Sequence, residues 1–249
     1  MKKVLLTGVL MFLFVAISAI AGAEGHKVHW GYTGNEGPLF WGSLDPAFEM
    51  CSKGKNQAPI DLKGFIEAEL APIPYVDNGS WANIVNNGHS IQVNVTNGST
   101  IQIDGITFSL LQFHFHSPSE NLIESRSFPL EAHFVHKDAN GNLAVVALMF
   151  EYGPKNEIIE KLWANMPENA GEKVELAPAF KPYELLPENR DYYRFNGSLT
   201  TPPCSEGVRW IVLKNYATVS KEQVEKFKHV MHHPNNRPVQ PVNARPILK

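Results

Sequence analysis

Three histidines carry the first chemical signal in this sequence: His114 and His116 in Gln112-Phe113-His114-Phe115-His116, and His133 in Glu131-Ala132-His133-Phe134-Val135. Alternation with period 2 puts Gln112, His114 and His116 on one face of a strand and Phe113 and Phe115 on the other. The same parity sets Glu131, His133 and Val135 on one face of the second run and turns His136 to the reverse. If the two strands pair, three imidazoles meet. Three neutral nitrogens without a fourth protein donor are the ligand set of a catalytic zinc site, which leaves one tetrahedral position for water. Gln112 and Glu131 each stand two residues before a histidine on the same face, where they can take the remaining ring N–H and fix the tautomer.

The elements that must position these residues follow from the rest of the chain. Runs of alternating residues separated by turn signals such as Asn87-Gly88, Asn97-Gly98, Asp104-Gly105 and Asn140-Gly141 predict successive antiparallel strands. The 18 Gly and 18 Pro spread between those runs favour a mainly β chain with few helices. Leu143 to Phe150 is continuously apolar, as in a central strand buried on both faces. A short helix is expected over 157–166. A second follows the Ser220-x-x-Gln223 capping box, with Val224, Phe227, Val230 and Met231 at helical spacing. His229, His232 and His233 at its end suit the helix dipole rather than a second metal. His29, Trp30, Tyr32, Phe40 and Trp41 form an aromatic cluster that reads as packing. His89 opens the strand at 89–95 and, taken alone, reads as a surface residue. The loop 197–206 is held by prolines.

Met1 to Ala23 combines Lys2 and Lys3, an apolar run from Val4 to Ile20 and a small-residue end, the pattern of a secretory leader. Residues 24–249 then form one domain, soluble after export, large enough to hide about 70–75% of its unfolded surface. Removing Lys2 and Lys3 takes the formal charge from −3 to −5, a balance that argues against nucleic acid or an anionic membrane as partner. In an oxidising compartment Cys51 and Cys204 are read as one intrachain disulfide, with free thiols or a bridge between subunits as alternatives.

Four stretches together, 112–120, 131–136, 197–203 and Asn235-Asn236-Arg237-Pro238-Val239-Gln240-Pro241, resemble an α-class carbonic anhydrase, and the likeness runs from Trp30 to Arg245. The resemblance implies a large, twisted, mostly antiparallel central sheet with short peripheral helices, a zinc ion on His114, His116 and His133, and a Cys51–Cys204 bridge. It implies reversible hydration of CO2 to bicarbonate and a proton by a zinc-bound hydroxide, with weak esterase activity as a side reaction. By the same resemblance Thr200 orients the hydroxide and donates to Glu120, and Val135, Val145, Leu199, Thr201, Val208 and Trp210 receive CO2. His89 carries protons to solvent, and Tyr32, Asn87 and Gln92 order the water in between. A homodimer is suggested only by analogy with bacterial members, and the compartment is periplasmic or extracellular. The sequence departs from the family at Asn121, where many members have histidine; an amide can make comparable hydrogen bonds. Strict alternation with His89 does not bring Gln92 to the cleft. A non-catalytic relative is disfavoured because all three histidines are present, and a dedicated zinc hydrolase would need a wider pocket.

Overall fold

The computed structural model describes residues 28–177 and 180–249, so the leader expected over 1–23 lies outside the described residues. Thirteen strands are formed among them: β1 (Asp61–Leu62), β2 (Tyr75–Asp77), β3 (Trp81–Asn86), β4 (Ile91–Val95), β5 (Ser99–Ile103), β6 (Ile106–His116), β7 (Leu122–Ile123), β8 (Leu130–Lys137), β9 (Leu143–Tyr152), β10 (Lys173–Glu175), β11 (Tyr192–Ser198), β12 (Glu206–Leu213) and β13 (Ala217–Val219). Four short α-helices accompany them: α1 (Trp41–Leu44), α2 (Met50–Lys53), α3 (Glu157–Trp163) and α4 (Lys221–Met231).

Eleven strands make one sheet along β10-β3-β4-β6-β8-β9-β12-β11, with β5 on β6, β2 on β5 and β13 on β9. Its pairings are antiparallel except β9 with β12 and with β13. The expected central strand is β9, buried on both faces from Ala144 to Phe150. That double burial is why its sequence does not alternate.

The phenylalanine face of β6 and β8 forms the larger core. Phe113 stacks on Phe134 at 4.9 Å, and Phe115 meets Trp163 of α3 at 4.9 Å and Phe227 of α4 at 6.5 Å. Each ring buried in this way stabilises the fold by about 1.5–3 kcal/mol. Both helices start where local chemistry sets them: Asn156 Oδ1 accepts from the N–H groups of Ile158 and Ile159, and Ser220 and Gln223 close the expected capping box. The first of these helices stops at Trp163 rather than Met166. With the helices on the reverse face, the histidine face is left for loops to enclose.

Three local expectations are corrected. His89 is not in a strand: Asn87 Oδ1 accepts from the N–H of His89 and of Ser90, closing a turn, and β4 begins at Ile91. Phe40 stands 44% exposed, outside the aromatic cluster, whereas Trp30, Tyr32 and Trp41 pack edge to face within 5.2–5.8 Å. Gly197 and Ser198 belong to the end of β11 rather than to the loop after it.

Candidate metal centre and its cleft

Register puts the site residues in adjacent rows on one face of the sheet. Gln92, His114, His133 and Ala147 are successive cross-strand partners on β4, β6, β8 and β9; in the next row Gln112, Val135, Val145 and Trp210 follow on β6, β8, β9 and β12. Gln92 therefore does face the cleft. The difficulty raised by His89 disappears once that residue is in a turn, because parity does not extend past the strand end.

The imidazole rings of His114, His116 and His133 lie 4.6–5.4 Å apart. Each gives one ring N–H to a group that can only accept. His114 Nδ1 donates to Gln112 Oε1 at 2.9 Å, His116 Nδ1 to the Asn235 carbonyl at 2.7 Å and His133 Nε2 to Glu131 Oε1 at 2.8 Å. The lone pairs are then on His114 Nε2, His116 Nε2 and His133 Nδ1. One nitrogen from each ring lies within 4.8 Å of the other two. His116 Nε2 is buried with no hydrogen-bond partner, a costly state for a polar atom unless a ligand takes it. Burial, followed by the neighbouring imidazoles, holds His114 and His133 well below the usual histidine range, and burial lowers His116. All three are neutral at ordinary pH, as metal ligation requires. The donor set fits zinc.

Two carboxylates support this centre. Glu131 Oε2 accepts from the N–H groups of Glu120 at 2.6 Å and Asn121 at 2.9 Å, and Asn121 Nδ2 donates to Oε1 at 2.8 Å. Asn121 Oδ1 also accepts from Ile60 N–H, so both ends of the amide are used. Glu120 Oε1 accepts from Arg237 N–H at 2.8 Å, while Oε2 lies 3.6 Å from His116 Nε2 and 3.9 Å from His133 Nδ1. Burial pushes the Glu120 carboxyl up to about 8, against the lowering influence of Arg237 N–H and the Thr200 hydroxyl. Thr200 thus faces Glu120, yet Oε2 accepts no hydrogen bond. A cation among the three imidazoles would supply the charge this carboxyl otherwise lacks.

Val135, Val145, Val208 and Trp210 are buried in one cluster, with Leu199 packed against it and Trp210 edge-on to His133 at 4.9 Å. Thr201 follows at the half-buried start of the loop. Gly197 lets the indole sit there: a Cβ at that position would fall 2.9 Å from Trp210 Cδ1. Cys51 and Cys204 are bonded, settling the choice left open by their number, and Trp30 and Tyr32 pack against the small cluster that the bridge forms with Trp41.

Tyr32 Oη is buried without a partner, and burial raises its pKa well above the usual phenol value. Asn87 Nδ2 donates to Gln92 Oε1 at 3.2 Å, and Gln92 Nε2 to Asn94 Oδ1 at 2.8 Å. His89 stacks on Trp30 at 3.7 Å and 7°.

Sequence reasoning missed what Asn235 and Arg237 do. Arg237 is 1% exposed and donates to Gln57 Oε1, the Ala58 carbonyl and the Cys51 carbonyl at 2.7–2.9 Å, tying the disulfide segment to Glu120. The only signal was the stretch 235–241, whose partners are more than 100 residues away.

A model of the eukaryotic-type carbonic anhydrase family matches residues 36–249. A carbonic anhydrase from Pectobacterium carotovorum is 48% identical over 238 residues, 96% of each chain. Among solved structures, the α-carbonic anhydrase of Thermovibrio ammonificans, in complex with the inhibitor sulfanilamide, superposes with a TM-score of 0.86 at 50% identity, covering 89% of this chain and 99% of that one. A hyperthermostable carbonic anhydrase from a hydrothermal vent chimney gives the same TM-score at 53% identity, over 88% of this chain and 99% of that one. With this match over nearly the whole described fold, the chain belongs to the eukaryotic-type, or α-class, carbonic anhydrase family.

Proposed function

We propose that residues 24–249 form one catalytic domain that hydrates CO2 reversibly, with zinc held by His114, His116 and His133. The observation that carries this reading is the convergence of three neutral lone pairs whose opposite ring nitrogens are each committed to a separate acceptor. Held by these three imidazoles, zinc would supply a nucleophile at neutral pH by lowering the pKa of water to about 7, a value established for carbonic anhydrase itself.

The chain's own residues supply the rest. Val135, Val145, Leu199, Val208 and Trp210 offer CO2 a dry apolar wall, with Thr201 at its edge. The Thr200 hydroxyl would accept a hydrogen bond from the O–H of the nucleophile and donate its own to the Glu120 carboxylate, which selects the orientation of attack. Tyr32, Asn87 and Gln92 order water between the centre and the rim. His89 receives the proton there, half-buried against Trp30 at the rim, from which an imidazole can hand it to solvent buffer. The disulfide accords with an exported enzyme.

Stopped-flow CO2 hydration on the purified protein, before and after chelator treatment and zinc return, tests the centre: activity lost and regained supports it, and full activity without zinc would refute it. His89→Ala is expected to keep its zinc and its rate in concentrated buffer. At low buffer the rate falls by about a hundredfold, the lower end of what a positioned proton acceptor contributes. Equal rates in wild type and variant at every buffer concentration would remove His89 from the pathway.

A further inference from the structure

The side chain of Asn235 is fully buried and every polar atom on it is used. Its Nδ2 donates to the carbonyls of Phe115 at 2.9 Å and His89 at 3.0 Å, and its Oδ1 accepts from the N–H of Ser117 at 2.8 Å. Its own carbonyl is the acceptor for His116 Nδ1. One residue therefore grips His116 from the ring and from both neighbouring peptide units, and with its remaining N–H holds the main chain of His89. Asn87 Oδ1 closes the His89 turn from the other side, and Ser90 Oγ donates to the Phe115 carbonyl at 2.6 Å. The planar amide has no spare donor with which to follow one partner and keep the other. A displacement of His116 must be shared with the turn that carries His89.

We infer that Asn235 is a positioning residue that couples occupancy of the metal centre to the placement of His89. The coupling rests on the reading of His116 as a zinc ligand and His89 as the proton carrier. Zinc fixes the His116 ring; the ring fixes the Asn235 peptide; the amide then orders the 87–90 turn. By linkage the effect is reciprocal, so loosening the turn weakens zinc retention.

Amide hydrogen exchange at His89 and Ser90, measured in wild-type protein with and without zinc, tests this without any substitution, using the Asn140-Gly141 turn as a remote control. Zinc is expected to slow exchange at His89 and Ser90 severalfold more than at the control. In Asn235→Ala that selective protection disappears, zinc affinity measured against a chromophoric chelator falls by about tenfold, the low end for a residue that supports a ligand, and the ratio of low-buffer to high-buffer turnover drops. Asn235→Asp keeps the carbonyl and Oδ1 acceptors and loses both N–H donors; it should disturb the His89 turn more than zinc affinity. Zinc binding that leaves the 87–90 turn unchanged in wild type, or protection that survives in Asn235→Ala, overturns the inference while leaving the zinc reading intact. A protein that binds no zinc would instead overturn the proposed function itself.

Discussion

His133 and His136 lie three residues apart on β8, both at least 98% buried, both held neutral by burial. Their surroundings differ. His133 directs Nε2–H to Glu131 and leaves Nδ1 facing two other imidazoles and a carboxyl. His136, on the opposite face, shares a 2.8 Å hydrogen bond with Tyr183 Oη, stacks against that ring at 6.0 Å, and has Nδ1 buried without a partner. Burial and a lowered pKa are common to both, so neither marks a site. What distinguishes His133 is that other imidazole nitrogens converge on its unpaired nitrogen, while His136 belongs to no such cluster among the described residues.

The widest separation between the two should come from removing each ring. His133→Ala is expected to lose stoichiometric zinc and reduce CO2 hydration to the uncatalysed background, read by metal analysis and stopped flow together. His136→Gln keeps a group able to bond Tyr183 and should retain both zinc and activity. If His136→Gln loses its metal, the contrast between the two faces fails.

Acid titration sharpens the comparison. Burial depresses the His136 pKa to about 3, against about 6.5 for an unfolded histidine. The folded state therefore resists protonation. His136 adds no penalty above about pH 6.5, and stability is lost as pH falls from there towards 3, by up to roughly 5 kcal/mol for a group this buried. Urea unfolding of metal-free wild type and His136→Gln at pH 7, 5 and 4 should show the variant losing less stability on acidification. Parallel curves would mean that water or a local rearrangement meets the charge. The smallest effect belongs to Tyr183→Phe, which removes one hydroxyl and leaves His136 Nε2 unpaired. It should cost about 1–3 kcal/mol at neutral pH with hydration unchanged.

The parts of the site carried by strands were legible in the sequence because period 2 is a local rule. His114, His116, Gln112, His133 and Glu131 fell on one face by counting, and the reverse orientation of His136 followed from the same count. The apolar run of β9 and the Ser220 capping box were readable for similar reasons. Counting failed at His89, where Asn87 Oδ1 replaces strand pairing with a turn. The acceptor for His116 was also hidden, since no periodicity links a ring to a carbonyl 119 residues downstream. Arg237 reads as an ordinary surface cation until tertiary structure surrounds it with the carbonyls of Cys51 and Ala58.

The long reach from His116 to Asn235 also orders events in time. During synthesis the paired strands β6 and β8, with the orienting groups of His114 and His133, emerge well before residue 235 does. A chain halted between them carries three imidazoles of which only two are tethered. Completion of the cluster therefore waits on residue 235, so the His116 ring gains its fixed orientation only after the strands that place the other two imidazoles have long been made.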